Sequence, residues 1–73
     1  MAQYIVNKNS QPNGDHEVHI ISPLNACNYL PDPVNMVKLG DHNSCHSAVQ
    51  TAKNLGYKTA DGCAYCCTAC HSS

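Results

Sequence analysis

The sequence predicts a small α+β domain: an antiparallel hairpin or three-stranded sheet, one main helix and a short C-terminal helix. Three observations carry this expectation. Two β-branched segments flank a turn, a later segment repeats its apolar residues at helical spacing, and the chain finishes in a cysteine cluster, "GCAYCCTACHSS".

At 73 residues the chain is read as a single domain, 1–73. A domain of that size buries only about 60% of the surface its unfolded chain exposes. Twelve residues are Leu, Ile or Val, and none is Phe or Trp, so the core must be thin. A chain so poor in large apolar side chains is usually disordered when strong net charge also holds it apart. Here the net charge is only −1, while six cysteines and five histidines are present. The missing stability is therefore expected from a cross-link or a metal.

The compartment bears on which. "MAQYIVNKNS" has no basic segment followed by an apolar one, and no run approaches the roughly 18 apolar residues of a membrane span. A cytoplasmic chain with no membrane partner is expected. Thiols stay reduced there, and clustered cysteines bind metal more often than they pair. Six is nonetheless an even number, so counting leaves a disulfide framework open.

The elements follow in order. "QYIVN" (3–7) and "HEVHII" (16–21) are rich in β-branched residues, and the "PNGD" between them is a turn signal, which predicts a hairpin. Prolines at 23, 31 and 33 keep "SPLNACNYLPDP" out of regular helix and place Cys27 on an irregular segment. "VNMVKLG" offers a third strand. In "NSCHSAVQTAKNLGY", Asn43 or Ser44 can cap a helix, Cys45, Ala48, Val49 and Ala52 recur at i, i+3, i+4 and i+7, and Gly56 sits where a terminating glycine belongs. Cys45 shares that apolar stripe and is expected to pack in the core as a small hydrophobe. His42 and His46, which flank it, are expected at the surface or as caps, with a second metal site around Cys45 as the alternative.

The sharpest constellation is His19 and Cys27, from a strand end and the adjoining loop, with Cys63 and Cys66 in C-x-x-C spacing far downstream. Zinc takes four tetrahedral nitrogen or sulfur ligands. Two such pairs would clamp hairpin, helix and tail together, which is the staple a weak core requires.

The order "YIVNKNS…VH…C…LG…AV..AK..GY…GC.YC", from Tyr4 to about Cys66, resembles the metal-binding domain of the Ada DNA-repair protein and the small Ada-like modules found alone or appended to nucleases. The resemblance implies a small α+β fold around one structural Zn(2+), held by His19, Cys27, Cys63 and Cys66. It also has departures. Seven residues separate His19 from Cys27 where the family has three, "KTAD" is inserted before the last pair, and Cys67, Cys70 and His71 are extra. His16, Cys67 or Cys70 stands as a substitute ligand if the longer gap displaces His19. Methyl transfer to a zinc-bound thiolate, the activity of the Ada protein itself, is not expected, because His19 stands at the position where that thiolate would be.

In the tail, Cys63, Cys66, Cys67 and Cys70 stand at i, i+3, i+4 and i+7, so all four thiols line one face if the stretch is helical. Two of them are expected on zinc, with Cys67 and Cys70 packed on the domain. A competing reading makes Cys67, Cys70 and His71 a second metal or thiol-exchange cluster. "CTACH" also matches a c-type haem attachment string, a short and weak signal.

No Ser/His/Asp arrangement, phosphate-binding glycine loop or carboxylate pair is present, and Asp15, His16 and Glu17 read as strand-end polarity, so no catalytic residues and no enzyme are expected. Four lysines without an arginine give little purchase on nucleic-acid phosphates. The expected role is that of a monomeric, zinc-stapled interaction module for a protein partner. Metal or redox handling, and nucleic-acid contact beside a nuclease or repair enzyme, are the alternatives.

Overall fold

In the computed structural model, which describes residues 2–10, 12, 14–21 and 30–71, the hairpin forms as expected. Strands β1 (Ala2–Asn7) and β2 (His16–Ile20) pair antiparallel, with Tyr4 opposite Ile20, Ile5 opposite His19 and Val6 opposite Val18. Alternation along the strands sends Tyr4, Val6, Val18 and Ile20 to one face, and Ile5 and His19 to the other. Both faces of this central pair are buried around these residues, since Ile5, Val6 and Val18 have no exposed surface and His19 has almost none.

Strand β3 (Met36–His42) adds to the free edge of β1, also antiparallel. Its register shifts between Tyr4 and Ile5, so Leu39 is an extra residue between the partners Lys38 and Gly40. Gly40 takes φ +86°, the left-handed conformation that a bulge of this kind assigns to glycine. The shift restores the inward phase at Leu39, which is buried between exposed Lys38 and Gly40. A three-residue 3-10 turn, Pro33–Asn35, leads into the strand.

Helix α1 (Cys45–Asn54) follows with Ser44 at the N-cap position. Cys45, Ala48 and Ala52 are buried in the core with Tyr4, Val6, Val18, Leu39, Ala60 and Cys67, and Val49 packs at its margin. The helix ends as the glycine predicts. Gly56 takes φ +109°, its N–H donates to Lys53 O, and Tyr57 N–H donates to Ala52 O, the paired bonds of a Schellman turn. His42 ties β3 to this helix: Nε2 lies 2.8 Å from Leu39 O, and Nδ1 lies 3.0 Å from Ser47 Oγ.

A fourth strand, β4 (Ala60–Gly62), pairs parallel to β2, giving a mixed sheet of order β3-β1-β2-β4. The sequence reading stops at three strands because β4 is only three residues long and sits inside "KTADG", which has no β-branched run. The C-terminal helix is likewise shorter and tighter than expected, a single 3-10 turn over Thr68–Cys70. The α+β class holds. Among the described residues, no helix is long and apolar enough to cross a membrane.

Candidate metal centre

Strand β2 presents Glu17 and His19 on the sheet face opposite Val18. His19 is 1% exposed, and that burial lowers its imidazole pKa, so the ring is neutral at neutral pH and keeps a lone pair for a cation. Its Nδ1 lies 3.8 Å from Cys66 Sγ, and its Nε2 lies 3.8 Å from Glu17 Oε1. Glu17 therefore lies on the Nε2 side of the ring and Cys66 on the Nδ1 side. Burial raises the pKa of Glu17, with His71 opposing the rise and Asp61 and Asp15 adding to it.

The sulfurs arrive from the end of β4. Cys63 N–H donates to Val18 O at 3.0 Å, continuing the parallel ladder and setting Cys63 beside β2. The chain then turns, with Cys67 N–H closing onto Cys63 O at 2.9 Å. Within that turn Tyr65 N–H points at Cys63 Sγ, and across from β2 Ile20 N–H points at Cys66 Sγ, each at 3.4 Å. The turn needs glycine before it. A Cβ at Gly62 would lie 2.6 Å from both Cys67 O and Cys70 Cβ, so no side chain fits where the tail folds back.

His19, Cys63 and Cys66 thus meet, their ligand atoms all within 4.8 Å of one another. Tetrahedral zinc with bonds of about 2.3 Å separates two sulfurs by about 3.8 Å, so small side-chain rotations bring this set onto one ion. One imidazole and two thiolates are a donor set suited to a borderline-soft cation. Cys27, the fourth residue of the expected set, lies outside the described residues.

The substitutes are disposed differently. His16 is engaged elsewhere, with Nδ1 3.0 Å from Asn7 O and its ring edge-on to Tyr57 at 5.0 Å. Cys67 is buried, and its Sγ lies 3.8 Å from Cys66 Sγ, beside the cluster. Cys70 is not a spare thiol: it is joined to Cys45 by a disulfide across 25 residues. The expectation that Cys45 and Cys70 merely pack is corrected accordingly, although Cys45 does sit in the core as its stripe requires. His71 turns toward β4, with Nδ1 3.1 Å from Gly62 O and 3.4 Å from Asp61 Oδ2.

Because the tail is a turn followed by a 3-10 turn and not an α-helix, its four sulfurs do not share a face. Cys63 and Cys66 go to His19, Cys67 goes to the core and Cys70 goes to α1. Cys67 lies beside Cys66, while Cys70 is bonded to Cys45 and His71 faces Gly62 and Asp61. That disposition removes the haem reading, since Cys70 Sγ is already bonded and Cys67 is buried. Glu17, read from the sequence as strand-end polarity, was the residue missed. Its signal was the i, i+2 spacing from His19 on one strand face. Comparison with family models, with curated proteins and with solved structures finds no match to the chain.

Proposed function

We propose that this chain is a structural-zinc module of the Ada-like type, without catalysis of its own, that serves as an interaction domain for a protein partner. The observation that carries the reading is the convergence of buried His19, Cys63 and Cys66 from β2 and from the turn after β4. Cys27 is the proposed fourth ligand, with Cys67 as its substitute.

The physical case rests on what such an ion would join. β2, β4 and the tail meet at the cluster, and the core they share is built largely from alanine, valine and cysteine. A structural zinc contributes on the order of 10 kcal/mol of apparent folding free energy in small modules, enough to decide whether so thin a core folds. Four protein ligands would leave no coordination position for water or substrate, which is why the role is structural.

Metal or thiol handling by Cys67, Cys70 and His71 has less support, since the three side chains are directed to different neighbours. Nucleic-acid contact as an accessory of a nuclease or repair enzyme is likewise weakly supported by four lysines and no arginine. Zinc content of the disulfide-intact chain, measured for wild type and for Cys63→Ser, tests the reading: one zinc in the first and none in the second is expected. Binding to duplex or single-stranded DNA at micromolar protein and low salt would revive the nucleic-acid alternative.

A further inference from the structure

Beyond that reading and independent of it, we propose that Cys45, His46 and Cys70 form a second metal site, closed by the disulfide and opened to zinc or a similar thiolate-preferring cation when that disulfide is reduced. The ligand atoms of the three residues lie within 4.8 Å of one another, a separate group from the one at His19. The two cysteines are held by elements packed on each other, α1 and the 3-10 turn of the tail, with Cα atoms 6.2 Å apart. After reduction the sulfurs need move only to the separation of about 3.8 Å that two ligands take on tetrahedral zinc, which side-chain rotation supplies.

The surroundings suit a cation. Cys45 is the first residue of a ten-residue helix, whose N-terminal end its side chain shares with the adjacent His46. His46 is exposed beside it and lines a cleft of about 480 Å³ together with Lys53, Asp61, Cys70 and His71. The cleft gives an ion a route to Cys70 and His46, the two members of the group that line it.

The chemistry balances with a dithiol as the reductant. Two electrons and two protons pass to the Cys45–Cys70 bond, giving two thiols, and the dithiol becomes a disulfide. The cation then displaces both thiol protons to solvent, and His46 contributes a nitrogen lone pair. The tail stays fastened to α1 in either state, by a covalent bond under oxidising conditions and by a metal under reducing ones.

The test compares zinc per chain in native mass spectra of the full-length protein, disulfide-intact and after reduction with a phosphine that does not chelate zinc. Zinc bound in both states cancels in the difference. Reduction is expected to add one zinc, the Cys45→Ala/Cys70→Ala chain is expected to add none, and His46→Ala, an exposed position, is expected to weaken the added zinc roughly tenfold or more. Equal zinc in the two states, whether the reduced chain is folded or not by circular dichroism, overturns the proposal. So does an added zinc that survives in the double variant or is indifferent to His46→Ala.

Discussion

His19 Nδ1 lies 3.8 Å from Cys66 Sγ, a residue 47 positions downstream, and this meeting joins the hairpin to the tail. It requires three things at once: a register that buries His19, a short parallel strand that delivers the tail beside β2, and a glycine that lets the tail fold back. Each can be perturbed separately.

Removing a ligand and removing a neighbour should differ. His19→Ala or Cys66→Ser is expected to abolish zinc binding and to unfold the domain, because a lost ligand forfeits several kcal/mol of metal-coupled folding energy. Cys67→Ser leaves His19, Cys63 and Cys66 in place, and it should keep its zinc if Cys27 is the fourth ligand. Zinc content and circular dichroism check both.

Gly62→Ala should be among the most damaging single changes outside the ligands. The added methyl would lie 2.6 Å from the Cys67 carbonyl oxygen, a backbone atom that cannot rotate away. Overpacking of this kind costs roughly 1–3 kcal/mol or more. A fall in the urea midpoint is expected.

Gly56→Ala should cost less, about 1–2 kcal/mol, because it places a Cβ at φ +109° with no atom within 4 Å to clash. A Gly56→Asn chain should recover part of the loss. The ordering of thermal midpoints for Gly62→Ala, Gly56→Ala and Gly56→Asn checks the assignment of strain to backbone in one case and to packing in the other.

Acid should weaken the fold through His19. Burial holds its folded pKa below the ordinary 6.5, so as pH falls the unfolded chain takes up the proton first and stability declines. The window opens near pH 6.5 and closes below the folded pKa, with a slope of at most about 1.4 kcal/mol per pH unit for one proton. Glu17 acts at lower pH and in the opposite sense. Its raised folded pKa stabilises the protein below the ordinary 4.5, and that contribution is lost as pH rises through the folded value. Thermal midpoints of the wild-type chain should drop between pH 7.5 and 5.5.

Much of the fold was legible because its signals are local. The β-branched runs on either side of "PNGD", the stripe from Cys45 to Ala52 and the terminating Gly56 each declare an element without reference to the rest of the chain. Strand β4 was not legible, since three residues of "ADG" become a strand only because β2 offers them an edge. The tail misled for a related reason. Its i, i+3, i+4, i+7 cysteines suggest an α-helix, but Gly62 and the contacts each sulfur makes elsewhere impose a tighter turn. Cysteine partners are the least local property of all, and spacing alone could not join Cys45 to Cys70.

The most direct measurement is a native mass spectrum of the full chain, expressed with zinc and purified without reductant under inert gas, so that the Cys45–Cys70 disulfide and the free thiols are both kept. The account expects one zinc per chain, lost together with the fold when His19 or Cys63 is replaced. A metal-free chain that is folded at neutral pH would contradict it, leaving His19, Cys63 and Cys66 as a packed cluster and the disulfide as the only staple among the described residues.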